Sequence, residues 1–305
     1  MNFLKKTIKI ISILLLTILI FFLLISLKNN PHSKTENEQI PAETSQPAAK
    51  VHIMDYNIRC LAPSDLNTKS WSYRADLVAS GIKKDAPGII GFQEVTKSQY
   101  EFLCDNLNQY DSIIMYRDTA VNSEGCPIFY QTDLYTLIDS GSFWLSETPD
   151  KMSKNWNSSQ YRVCSYVILK DNASEKEFAV FNTHLDHASN AAKINGIKLI
   201  MSKISEYGTL PIVLMGDFNS NEDSKTYEIA TETLLDTKYQ TPNTMTSCTY
   251  QNWGKSLNRK CIDYILISDT GFTVNSYKVI TDTYNGVYAS DHFPVSVSLT
   301  LSGSE

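Results

Sequence analysis

The chain has 305 residues, 42 % of them apolar, with only 12 Gly and 10 Pro. That composition supports a substantial buried core and excludes a wholly disordered or low-complexity chain. The formal net charge is −6; this balance gives no long-range attraction for a polyanion, though a local basic groove or a bound cation can offset it.

Residues 10–27 read IISILLLTILIFFLLISL without a charge. At 1.5 Å per residue this run spans about 27 Å, close to the hydrocarbon thickness of a bilayer. Lys5, Lys6 and Lys9 precede it and Lys28 follows. The positive-inside bias therefore places residues 1–9 in the cytoplasm and the body outside, as a single-pass cell-membrane protein. A cleaved secretory signal is the rival reading. Ser-Leu-Lys-Asn-Asn-Pro after the run offers no small-x-small cleavage site, and no Cys follows for a lipid anchor. Both readings export the body. Residues 28–50 are polar, Pro-containing and free of aromatics, which is linker composition.

From residue 51 the pattern is of one domain, 51–305. Alternation predicts a strand over 51–58, and apolar spacing predicts a helix over 73–84 that stops before Pro87. A short buried strand over 88–92 precedes a helix over 96–107. Strand-like runs follow at 111–116, 126–131, 134–145, 161–169 and 178–181. A helix over 189–206, a buried strand over 211–215, and strands at 262–268, 271–279 and 293–300 close the chain. Helices interleaved with many strands suggest an α/β fold of two stacked sheets flanked by helices.

Six short polar runs lie at one end or the other of strand-like stretches: Asp55-Tyr56-Asn57, Gln93-Glu94, Asn182-Thr183-His184-Leu185-Asp186-His187, Gly216-Asp217-Phe218-Asn219, Ile262-Asp263-Tyr264 and Ser290-Asp291-His292. Each alone reads as a turn or a helix cap. Together they suggest one pocket assembled from strand ends. Glu94 and Asp291 are carboxylates at the edge of apolar stretches, where a divalent cation is a suitable partner, and Asn57 can add a carbonyl oxygen. Asp217 can accept a proton from water, with Asn219 holding a phosphate oxygen or the Asp itself. His184 is placed to donate to a leaving oxygen. Asp263, isolated among apolar neighbours, can fix the tautomer of His292. Arg162 is either a surface ion-pair partner or a fork for a phosphate.

His187 reads as a helix-start residue. A zinc site on His184 and His187 is disfavoured because the remaining set is oxygen-rich. The basic pairs Lys83-Lys84 and Arg259-Lys260 read as solvated surface. The six cysteines show no CxxC spacing and read as small buried hydrophobes. Cys248 and Cys261 are the best candidates for a bridge in an oxidising compartment.

The ordered set Asn57, Gln93-Glu94, Thr183-His184-Leu185, Gly216-Asp217-Phe218-Asn219, Ile262-Asp263-Tyr264 and Ser290-Asp291-His292 resembles the endonuclease/exonuclease/phosphatase superfamily, over about residues 51–300. The resemblance implies a four-layer α/β sandwich of two mixed β-sheets packed face to face with helices outside. It also implies Mg²⁺- or Mn²⁺-dependent hydrolysis of phosphoesters. Carried over, Glu94, Asn57 and Asp291 are the metal group; Asp217 and Asn219 orient or deprotonate the attacking water. His292, held by Asp263, stabilises phosphoryl charge, and His184 assists the leaving group. Whether Asp217 or His292 is the base stays open. The leading expectation is an exported, membrane-tethered phosphodiesterase acting on nucleic acid, a nucleotide, a phospholipid headgroup or a small diester. Alternatives are a phosphomonoesterase of sugar or inositol phosphates, or a catalytically silent binding module. No protein partner is evident.

Overall fold

A computed structural model describes residues 49–257 and 261–302. The expected membrane anchor at 10–27, the linker as far as residue 48, and the Arg259-Lys260 pair lie outside the described residues. Among the described residues no helix is long and apolar enough to cross a membrane.

In chain order the elements are β1 (Ala49–Asn57), α1 (Trp71–Asp85), β2 (Ile89–Gln93), β3 (Val95–Thr96), α2 (Lys97–Asn106), β4 (Tyr110–Ile113), β5 (Glu124–Gly125), β6 (Ile128–Gln131), β7 (Tyr135–Trp144), β8 (Val163–Asp171), β9 (Glu177–His184), α3 (Asn190–Ser205), β10 (Ile212–Asp217), α4 (Lys225–Thr231), β11 (Leu234–Asp236), β12 (Thr244–Met245), β13 (Asp263–Ser268), β14 (Phe272–Val279) and β15 (Val295–Leu301). Of the two large sheets, one runs β12-β14-β15-β1-β2-β6-β4 and the other β11-β13-β10-β9-β8-β7, while β3 and β5 form a small antiparallel pair of their own. Both are mixed: β1 pairs parallel with β2 and β9 parallel with β10, while β15 and β13 join them antiparallel.

Three apolar cores explain the layering. The first lies between the sheets, where Ile53, Ile89 and Val297 meet Val180, Val213 and Ile265. The second joins the outer face of the β9–β10–β13 sheet to α3 and α4 through Phe181, Leu214, Ile197, Ile200 and Ile229. The third joins the outer face of β1 and β2 to α1 and α2 through Met54, Phe92, Val78, Ile82 and Leu103. Each sheet is thus apolar on both faces, which is why β2 and β10 read as continuous apolar runs rather than alternating ones. The helices close the two outer faces.

Local signals set the helix ends. Thr96 and Gln99 form a reciprocal capping box at the start of α2. The Ser189 side chain accepts from Ala192 N to begin α3. Helix α1 ends at Ala86 in a left-handed conformation just before Pro87.

Candidate active site

Strand register places the chemistry. Parallel pairing puts His184 opposite Asp217, and antiparallel pairing puts Asp217 opposite Asp263. Directly opposed residues on neighbouring strands project from the same face, so three polar groups distant in sequence stand in one row. Gly216 lets β10 come this close to β9: a Cβ there would lie 2.0 Å from the Thr183 carbonyl oxygen, and its φ is +145°. In the facing sheet β1 and β2 end together, with Asn57 opposite Gln93, and Glu94 follows at φ +63°. Arg59 (φ +60°) and Asn219 (φ +48°) are left-handed too. Only Asn takes this conformation readily; Glu and Arg there mark backbone held against its preference, which concentrates at functional sites.

Hydrogen bonds tie the row together. His292 Nδ1 lies 3.0 Å from each oxygen of Asp263, and its Nε2 is 3.8 Å from Asp217 Oδ2. Asn57 Nδ2 donates to Asp217 Oδ2 (3.0 Å) and to Glu94 Oε1 (3.2 Å), bridging the two sheets. Asn219 N donates to Asp217 Oδ1 (2.8 Å). Its Nδ2 donates to Leu185 O (3.0 Å) and lies 2.9 Å from His184 Nε2. The segment before β13 locks the last two runs together. Thr249 Oγ1 accepts from Ile262 N and Asp263 N, while Phe293 N donates to Thr249 O. Gln251 N donates to Asp291 O, and the Tyr250 ring packs 4.9 Å from the His292 ring.

Glu94, His184, Asp217, Asn219, Asp291 and His292 line one cleft of about 820 Å³. Asn57 and Asp263 are buried just behind its wall at 1 % exposure each. The same cleft is lined by Arg59, Arg117, Glu124, Gln160, Arg162, His187 and Tyr250.

The titrating groups are driven apart. Burial, then the charge of Asp263, raises the Asp217 carboxyl to about 7. Burial works against charge on His292, but the Asp263 carboxylate, with Asp217 and Asp291 behind it, outweighs that and raises the imidazole well above its ordinary value. His184 goes the other way: burial, then the Arg162 charge, lowers it well below the ordinary value, so it is neutral near pH 7. A base near neutrality beside a stabilised imidazolium is suited to proton abstraction next to a developing anion.

Burial, and the nearby charge of Glu94, raise the Asp291 carboxyl. Arg59 stands 4.0 Å from Glu94 Oε2 and 4.0 Å from Asp291 Oδ2, too far to hydrogen-bond either, and gives its close contact to Asp65 (2.9 Å). Glu94 also accepts from Cys60 N (2.9 Å), and against the cost of burial that bond and the charges of His292 and Arg59 hold its carboxyl below the ordinary value; an ionised Glu94 beside Asp291 fits an oxygen-ligated divalent ion. Asn57 turns its NH₂ toward Glu94 and Asp217, and its Oδ1 accepts from Arg59 N (3.0 Å). In this orientation Asn57 orders Glu94 and does not present an oxygen. Asp217, Asp263 and His292 also bring three ligand atoms within 4.8 Å of one another, but the hydrogen bonds between His292 and Asp263 account for that cluster.

On the other wall Arg162 is 5 % exposed, so it is not a surface ion-pair residue. Its Nη2 lies 3.3 Å from His187 Nδ1 and its Nε 3.8 Å from Asp186 Oδ2. Asp186 is otherwise engaged. Its Oδ2 accepts from Ser158 Oγ, Ser159 N, Ser159 Oγ and Gln160 N, and its Oδ1 accepts from Ala188 N and Ser189 N. Asp186 thus fastens residues 158–160 to the start of α3. His187 is exposed on the cleft rim, three residues before α3 begins at Asn190, and it does not cap the helix. Arg117 forms a bidentate pair with Glu124 (2.7 and 2.8 Å) beside Arg162. The sequence gives no signal for Arg117, Glu124, Gln160 or Tyr250, because their segments carry no strand-end pattern. The six cysteines are free, and both Cys248 and Cys261 are buried thiols.

A two-sheet α/β fold with an acid–imidazole cleft at its strand ends defines a class of hydrolase-like sites. A model of the Endonuclease/Exonuclease/phosphatase family matches residues 203–292. An endonuclease/exonuclease/phosphatase family protein of Bacteroides thetaiotaomicron superposes with a TM-score of 0.79 at 32 % identity, covering 84 % of this chain and 99 % of that one. The mannosyl-6-phosphatase Bt3783 of the same organism gives 0.78 at 32 %, covering 82 % and 100 %. The chain belongs to the endonuclease/exonuclease/phosphatase family, whose members hydrolyse phosphoesters. It is also 21 % identical over 251 residues to the CCR4-Not complex 3'-5'-exoribonuclease subunit Ccr4 of Aspergillus niger, but the match spans 63 % of this chain and only 38 % of that protein.

Proposed function

We propose that this chain is a divalent-cation-dependent phosphoester hydrolase acting on a small phosphorylated molecule, with a phosphomonoester of a polar alcohol as first choice. The observation that carries the reading is one cleft in which Asp217, in register with His184, and His292, bonded to Asp263, stand beside the Glu94–Asp291 pair. Glu94 and Asp291 would hold Mg²⁺ or Mn²⁺, which when bound would polarise a phosphoryl oxygen and offset developing charge. Asp217, poised near neutrality, takes the proton of the attacking water, and Asn57 and Asn219 fix the direction of its two oxygens. The His292 imidazolium, fixed by Asp263, binds a phosphoryl oxygen. Arg162 adds a second cationic donor. His184, neutral and accepting from Asn219, orients that amide.

Small esters are favoured over long nucleic acid by the acidic balance of the chain. The monoester takes precedence over the diester because of the likeness, at 32 % identity and full coverage of that chain, to a mannosyl-6-phosphatase. The phosphodiester reading is supported by the exoribonuclease relative, at lower identity and coverage. Export and tethering through residues 10–27 belong to the same proposal on the strength of the sequence alone. The test is a substrate panel with Mg²⁺ or Mn²⁺: sugar phosphates, inositol phosphates, nucleotides, RNA, DNA, sphingomyelin and simple aryl esters. Turnover of sugar phosphates in preference to the diesters supports the first choice. Turnover confined to RNA or DNA replaces it with the nuclease reading.

A further inference from the structure

We infer that His187 is the leaving-group contact of this site: its Nε2–H donates a hydrogen bond to the oxygen that departs from phosphorus. The inference rests on the phosphoester-hydrolase reading and adds to it a residue whose sequence context suggested only a helix start.

The chemistry of the neighbours fixes the tautomer. Arg162 can only donate, and its Nη2 lies 3.3 Å from His187 Nδ1. Ser159 Oγ, 3.4 Å from the same nitrogen, gives its hydrogen to Asp186 Oδ2 at 2.6 Å. Nδ1 is therefore an acceptor and the ring proton sits on Nε2. Asp186 fixes Ser159 by hydrogen bonds and stands 3.8 Å from Arg162 Nε, so both neighbours of the ring are placed on an otherwise open rim. The other candidate, His184, is arranged oppositely. The Asn219 amide, whose nitrogen is identified by its bond to Leu185 O, donates to His184 Nε2 at 2.9 Å. That nitrogen has no proton to offer.

Distances order the wall. His292 Nδ1 is 3.0 Å from Asp263, its Nε2 3.8 Å from Asp217, Asp217 3.4 Å from His184 Nε2, and Arg162 3.3 Å from His187. Arg162 and His184 line the same stretch of the cleft wall, which links the two halves. Asp217, with Asn219 and His184 beside it, and Arg162, with His187 beside it, line the same cleft. In-line displacement requires the entering and departing oxygens to lie on opposite sides of phosphorus. A phosphoryl group held by His292 and Arg162, with water on the Asp217 side, directs its ester oxygen toward His187. The water oxygen bonds to phosphorus as the ester P–O bond breaks. The water's proton passes to Asp217. The departing oxygen keeps the bonding pair, accepts the hydrogen bond from His187, and takes its proton from bulk water at the open rim, while His187 retains its own.

The test uses the purified chain with Mg²⁺ or Mn²⁺ and two esters of whichever class it turns over, one with an aryl and one with an alkyl leaving group. An alkoxide develops more charge than a nitrophenolate, so it depends more on the donor. Loss of one donor to a developing oxyanion costs on the order of 10²-fold. His187→Ala is expected to lower kcat/KM for the alkyl ester about 10²-fold more than for the aryl ester. His187→Gln, which carries an amide N–H near the place of Nε2, is expected to recover part of that difference. His187→Asn, which keeps an acceptor for Arg162 without that donor, is not. Equal losses on both esters, or recovery by Asn instead of Gln, overturn the inference and leave the hydrolase reading standing. A wild-type chain inactive on every ester overturns both.

Discussion

Nδ1 of His292 lies 3.0 Å from both oxygens of Asp263, and the two residues are 29 positions apart. Both are buried. A carboxylate that shares one N–H between its two oxygens fixes the ring plane and leaves Nε2 facing the cleft. This pair decides which nitrogen faces the cleft and raises the imidazole's titration against the cost of burial.

Asp263→Asn is expected to remove that support. The His292 titration should move down, as read by NMR of the ring protons, and kcat should fall on the order of 10²–10⁴ while the fold persists. An unmoved His292 titration would separate the two residues.

Asp217 gives a pH dependence with a defined sign. Its carboxyl, raised to about 7 by burial and by Asp263, must be ionised to accept a proton. Activity should therefore be lost as pH falls through about 7, and kcat/KM against pH is the measurement. The stability consequence runs the other way. A carboxyl with a raised folded-state pKa contributes most stability below its unfolded value near 4, and that contribution is lost as pH rises through 7. Asp217→Asn should thus be inactive yet melt higher than wild type at pH 8, with the gain shrinking toward pH 4. A melting point lowered at pH 8 would contradict the burial account.

Asp85 is the opposite case, far from the cleft. Burial opposes its charge, but His52, Lys278 and Ser296 converge on it and bring the carboxyl down to about 2. Its contribution is present above its unfolded value near 4 and is lost as pH falls through 2. Asp85→Asn should cost about 1–3 kcal/mol at pH 7 by denaturant unfolding, and the difference from wild type should close near pH 2. A variant equally stable at both pH values would refute the coupling.

Asp186 should act as a loop fastener. Asp186→Asn replaces an acceptor with a donor where as many as four donors meet on one oxygen. Hydrogen exchange at residues 158–160 should accelerate, with little change at the buried strand β10. Unchanged protection there would remove this role.

Much of the fold was legible because its sheets are sandwiched on both faces. The apolar runs over 89–92, 212–215 and 264–267 announce buried strands whichever way they pair. Helix α4 and strand β11 escaped because seven and three residues are too short for a periodic signal. The cleft was legible where a strand ended in Asn, Asp, Glu or His, since polar groups at the end of a buried strand need a purpose. Strand register, which puts Asp217 between His184 and Asp263, is a tertiary fact that spacing does not encode. Nor does spacing encode the partner that decides a role: His187 reads as a helix start until Arg162, 25 residues earlier, is found against its ring. Cys248 and Cys261, on either side of a turn, looked suited to a bridge, yet each thiol is turned to a different backbone carbonyl, Leu257 O and Ser247 O.

On the proposed mechanism one cleft joins a cation held by Glu94 and Asp291 to a water activated by Asp217. The most direct measurement is phosphoester turnover by the purified chain after EDTA treatment and graded return of Mg²⁺ or Mn²⁺, run beside Glu94→Gln and Asp217→Asn. Wild type should fall silent and recover fully. Glu94→Gln should recover only at much higher metal concentration, and Asp217→Asn should stay silent at any. Turnover indifferent to chelation, or full recovery in Asp217→Asn, would contradict the account.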